Sequence, residues 1–156
     1  MGTDERLKGI LARQASAAER AELDQVAAQE AAEKAKDLRL RVTEKWQGQR
    51  AHIEQFIDRL NKEMSDHGTT LFVRGSRYPV DESMHVDMMD IGFEKYTSTG
   101  DMRKLAISVR PDGRIYVSIA TRNISPAKHY DLNVFEATDG QLEGAVLDFL
   151  DENTPK

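Results

Sequence analysis

Cysteine is absent from the 156 residues, which removes disulfides, thiol nucleophiles and thiolate metal sites together. No apolar run approaches the roughly 18 to 20 residues that a membrane span needs. Met1 to Gly9 is charged and has no apolar h-region, so no secretory signal is expected there. Gly2 alone does not make a myristoylation motif, because Arg6 stands where Ser or Thr is required. These absences lead us to expect a cytoplasmic protein. Proline is missing before Pro79, so nothing in the first half of the chain is barred from a helix.

Concentrated positive charge is also lacking. The net charge is −5. Met1 to Gly68 holds 13 acidic and 12 basic residues, Thr69 to Thr138 holds 9 of each, and Asp139 to Lys156 holds 5 and 1. The acidic excess therefore sits at the C-terminal end, and no helix face carries the basic density of a phosphate-backbone binder. Nucleic acid is accordingly not expected as a partner, and neither is a membrane. No nucleophile elbow or comparable catalytic signature is present, and no motif calls for a cofactor.

What is present begins with alanine. Ala12 to Ala35 contains ten alanines among Glu, Gln, Lys and Arg, a composition with high helix propensity. Glu30 with Lys34 and Asp37 with Arg41 add favourable i,i+4 pairs. Ser16 and Glu19 have capping-box spacing, which leaves open a turn near Ser16 or one unbroken helix. The only larger apolar residues in this stretch are Leu23 and Val26, so it buries little by itself.

From Ala31 an apolar stripe sharpens. Ala31, Ala35, Val42, Trp46, Ile53, Ile57 and Met64 step alternately by 4 and 7, and Leu38, Gln49 and Leu60 step by 11. An eleven-residue period holds a stripe on one side of a nearly straight helix, where a heptad would demand left-handed supercoiling. It suits a helix lying on a sheet. Gly48 weakens the helix without ending it, and Gly68 is the expected stop.

After Thr69 the period becomes alternating. Thr70 to Arg74 reads as a short strand, and Gly75 to Glu82 as a loop. Met84 to Tyr96 reads as a strand with Met84, Val86 and Met88 inward. A bulge then lets Met89, Ile91 and Phe93 continue that face. The methionines are expected to fill gaps between helix and sheet. Leu105, Ile107 and Val109 alternate into the Pro111-Asp112-Gly113 turn and Ile115, Val117 and Ile119 alternate out, a hairpin with Arg110 opposite Arg114. Asn123 to Lys128 reads as a loop, and Tyr130, Leu132 and Val134 as a last strand. Thr138 and Gln141 then cap an amphipathic helix bearing Leu142, Val146, Phe149 and Leu150.

The expected fold is thus α+β: a long N-terminal helix packed at its C-terminal part on a mainly antiparallel sheet of about five strands, followed by a C-terminal amphipathic helix. The expected organisation is a helical extension over 1–37 used for association, an α+β domain over 38–152 (helix 38–67, sheet 69–137, helix 139–151) and a frayed tail over 153–156. Five strands about 4.8 Å apart make a sheet roughly 24 Å wide, enough for about 16 to 18 helical residues. A helix from Asp4 to Asp66 would be roughly 95 Å long. About two-thirds of it would have to project, fold back or pack on another chain.

Three sets of residues are candidates for chemistry. His85, Asp87 and Asp90 form the only compact oxygen and imidazole set, suited to zinc, manganese or non-haem iron if the bulge brings Asp90 to the side of the other two. Arg74 and Arg77, flanking Gly75-Ser76, have the composition of an anion-binding turn but no Walker-type pattern. Arg110, Arg114 and Tyr116 flank small residues on the outer face of the hairpin and offer a partner surface. For each set an ordinary solvated strand face or turn is the plainer reading. Trp46, the sole tryptophan, falls on the apolar stripe and reads as core.

The reading that follows is a small protein-interaction or self-association module, a homodimer through its N-terminal helix, with no identifiable catalytic centre. A peptide-binding adaptor or secretion-type chaperone, and a metal-dependent enzyme using the His/Asp set, are the alternatives.

Overall fold

The computed structural model describes residues 2–75, 84–94, 103–121 and 128–155. Helix α1 runs from Thr3–Met64 and ends in a 3₁₀ turn, Ser65–His67. The strands are β1 Leu71–Gly75, β2 Asp87–Phe93, β3 Lys104–Val109, β4 Arg114–Ala120 and β5 Lys128–Asn133, and helix α2 spans Asp139–Asn153. The five strands form one antiparallel sheet in sequence order, β1-β2-β3-β4-β5. This is the expected α+β layout, and no described helix is long and apolar enough to cross a membrane.

The chain divides into two compact units, Met1–Asp37 and Leu38–Lys156. In the first, helix continues through Ser16 without a turn. None of its described residues is buried, and all but Ile10 are exposed. Leu7, Leu11, Leu23 and Val26 each show half or more of their surface.

In the second unit the eleven-residue stripe is buried as expected. Val42, Trp46, Gln49, Ile53 and Ile57 are the buried residues of α1, with Leu38, Leu60 and Met64 partly buried beside them. They meet the inward residues of the sheet, among them Leu71, Met89, Ile91, Leu105, Ile107, Val117 and Ile119, in one core completed by Leu142, Val146 and Phe149 of α2. The rings of Phe93 and Phe149 stack with centroids 4.9 Å apart. Gly48 leaves the helix intact. Gly68, at φ 72°, supplies the left-handed cap that closes it.

The β3–β4 hairpin forms as its sequence predicts. Arg110 and Arg114 close it, with Arg110 N donating to Arg114 O at 2.9 Å and Gly113 N to Arg110 O at 2.9 Å. Gly113 sits at φ 96°, and a Cβ there would lie 3.1 Å from Val134 Cγ1. Thr138 and Gln141 form a complete reciprocal capping box at the start of α2. That helix runs two residues past its expected end at Asp151. Asn153 Nδ2 donates to Phe149 O at 3.0 Å.

Strand β2 differs from expectation. Its register with β1 and β3 is continuous from Asp87 to Phe93, so there is no bulge between Met88 and Met89. Asp87, Met89, Ile91 and Phe93 share the core side, whereas Met84 and Met88 are exposed. Of the three methionines only Met89 fills the core. A carboxylate takes the inward position because α1 supplies it with donors. The expected loops over Gly75–Glu82 and Asn123–Lys128, and the end of the strand beyond Glu94, fall largely or wholly outside the described residues.

Candidate functional site

The most organised polar cluster lies where α1 crosses the start of β2. Trp46 and Arg50 are one helical turn apart on α1, so both side chains reach the same strand residue. Trp46 Nε1 donates to Asp87 Oδ2 at 2.7 Å, and an Arg50 guanidinium nitrogen donates to that same oxygen at 2.6 Å. Asp87 Oδ1 accepts from the Met88 backbone N–H at 2.9 Å. Arg50 also donates to Glu54 at 3.0 Å. Burial of the guanidinium favours its neutral form, but the bonds to Asp87 and Glu54 outweigh it, and the Arg50 pKa is raised.

Gly75 completes the arrangement. A Cβ at this position would fall 2.5 Å from an Arg50 guanidinium nitrogen, so the missing side chain is the space that the guanidinium occupies. Arg39 donates to the backbone oxygen of His85 at 3.2 Å. Together these bonds tie the entry to β2 to α1 at Arg39, Trp46 and Arg50, about three turns of the helix.

The His85, Asp87 and Asp90 set is dispersed by this geometry. Asp87 faces α1, and Asp90 pairs across the opposite face with Arg74 of β1. His85 contributes its backbone oxygen to Arg39. Among the described residues no group of three or more His, Asp or Glu side chains is placed to hold a metal ion.

The arginine candidates separate into two places. Arg74 lies over the Phe72 ring, 4.9 Å from its centroid, at the β1 edge. Arg110 lies over Tyr116 at 4.6 Å, and Arg114 stands 5.9 Å from the same ring and donates to its hydroxyl at 3.0 Å. That hydrogen bond leads the effects that raise the Arg114 pKa. β1 and β4 are three strand spacings apart, roughly 14 Å, so the two places do not make one anion site. Arg77 lies outside the described residues.

Sequence reasoning missed two further features. His52 of α1 stands 3.9 Å from Asp139 and 3.6 Å from Glu143 of α2, while Arg59 bonds Glu143 at 3.1 Å. A shallow groove of about 460 Å³ runs between α1 and the β5–α2 connection, with Gly48 on one side and the half-exposed ring of Phe135 on the other. Gln49, at its base, donates from Nε2 to Val134 O at 2.8 Å, and its buried Oε1 has no hydrogen-bond partner among the described residues. The i,i+4 spacing of Trp46 and Arg50 is the only signal that could have marked the Asp87 cluster.

The Arg50 bond to Asp87 fastens α1 to the sheet, and the Arg59 bond to Glu143 fastens α1 to α2. No family model matches the chain, and neither a curated protein nor a solved structure does.

Proposed function

We propose that this protein is a self-association module in which the unit Met1–Asp37 supplies the contact between copies. One observation carries the reading: a helical unit of more than thirty residues has no buried residue among those described. An isolated helix in water draws marginal stability from propensity alone. Large apolar side chains held half exposed on it, Leu7 and Leu11 first, gain most by meeting another chain. Small alanines around them allow two helix backbones to approach closely.

The α+β unit has the opposite character. Its core is closed, and its Trp46, Arg50 and Asp87 bonds anchor the sheet to the helix. On this reading its role is to carry the association helix. Size-exclusion chromatography with light scattering tests the proposal: a dimer at tens of micromolar is expected, and a strict monomer there overturns it.

A further inference from the structure

Resting on the self-association reading, we infer that the partner is a second copy of this chain whose Met1–Asp37 helix lies antiparallel to the first. The residues Leu7, Leu11, Gln14, Ala18, Ala21 and Gln25 advance alternately by 4 and 3, and Ala28, Ala32 and Ala35 continue the series. This is the seam of a two-helix coiled coil, and all of it is exposed. The seam is lopsided: its leucines are at the N-terminal end and its alanines at the other.

That asymmetry decides the direction. In a parallel pair leucine meets leucine at one end and alanine meets alanine at the other, so the helices cannot keep one separation. In an antiparallel pair of knobs-into-holes geometry, Leu7 meets the partner's Ala32 and Leu11 meets the partner's Ala28. Large side chains then oppose small ones, as even packing requires. Gln14 meets the partner's Gln25, where two amides can satisfy each other, and Ala18 meets the partner's Ala21 beside the twofold axis.

Charge does not decide between the directions. The residues directly flanking the seam juxtapose Lys8 with the partner's Gln29, Ala15 with its Glu22, Ile10 with its Ala31 and Ala17 with its Asp24 in the antiparallel register, and Ile10 with its Ala15, Ala17 with its Glu22, Asp24 with its Gln29 and Ala31 with its Lys36 in a parallel pair, with no opposite-charge pair in either. The direction therefore rests on shape.

The overlap runs from Thr3 to Lys36 and so uses the first unit alone. It is roughly 51 Å long at the helical rise. A strip about 10 Å wide on each helix amounts to on the order of 1,000 Å² in total, the lower bound for specific interfaces. The pair is therefore weak and concentration-dependent. Leu23 and Val26 lie off the seam and take no part.

The lack of native cysteine makes the register directly readable. Leu7→Cys and Ala32→Cys full-length variants are oxidised separately and as a mixture, with light scattering on each. The expected result is a disulfide-linked dimer in the mixture and almost none in either variant alone, because like positions lie roughly 37 Å apart for Leu7 in this register. Efficient self-crosslinking of Leu7→Cys alone overturns the antiparallel register while leaving self-association standing. So does a dimer by scattering with no crosslink in any sample. A monomer by scattering with no crosslink overturns both.

Discussion

The indole nitrogen of Trp46 and the guanidinium of Arg50 converge on one oxygen of Asp87, at 2.7 and 2.6 Å. Removing the carboxylate leaves a half-buried cation and an indole N–H without their acceptor. We expect Asp87→Ala to cost about 2 to 4 kcal/mol and Asp87→Asn, which keeps an oxygen for the indole, distinctly less. Urea denaturation followed by the fluorescence of Trp46, the sole tryptophan, measures both. Equal losses would show that charge is not what Arg50 reads.

Gly75 and Arg50 share one space. Gly75→Ala forces the guanidinium to move, and because that group ends a flexible side chain the cost should be about 1 kcal/mol. The effect should largely vanish in an Arg50→Ala background. A double-mutant cycle checks this, since contacting residues couple by about 0.5 kcal/mol or more. Additive losses would contradict the shared-space account.

Tyr130 provides a pH dependence. Burial first, and the nearby Asp148 second, push its phenol up to about 12. The unfolded phenol titrates near 10. Between those values the folded state holds a proton that the unfolded state has lost, so stability present below about pH 10 declines as pH rises toward about 12. The loss should be on the order of 1 kcal/mol after allowance for solvent screening of a half-exposed ring. Tyr130→Phe should flatten this part of the stability profile, and an unchanged slope would assign the alkaline loss elsewhere.

Thr138 holds the first turn of α2 by accepting at Oγ1 from Gln141 N at 3.2 Å, and Gln141 Oε1 in turn accepts from Thr138 N at 3.0 Å. Thr138→Ala should destabilise by about 1 kcal/mol, and Thr138→Ser by much less. Thermal melts of the three proteins decide it. An equal drop for both variants would point to packing of the threonine methyl instead of the cap.

Deleting residues 1–35 removes no buried side chain among the described residues and should leave a cooperatively melting α+β unit that no longer associates. Circular dichroism and light scattering on the truncated chain check both halves of the expectation. An unfolded product would place the division between the units wrongly.

Much of the fold was legible because the deciding interactions are local. The eleven-residue stripe from Leu38 to Met64, the Gly68 stop, the Pro111 to Gly113 turn and the Thr138 cap each depend on residues within a few positions, or on a period that repeats every turn. The candidate sites were less legible. Their placement hung on the parity of β2, and hydropathy alone favoured Met88 over Asp87 for the inward position.

Sequence by itself determined the helix, the alternation of the strands and the stops and turns between them. It also determined the poverty of apolar surface before Leu38. Tertiary structure alone decided that Asp87 faces inward, because its donors Trp46 and Arg50 stand 41 and 37 residues away on another element. A carboxylate is costly in a core only while it lacks partners, and whether it has them depends on how distant segments meet.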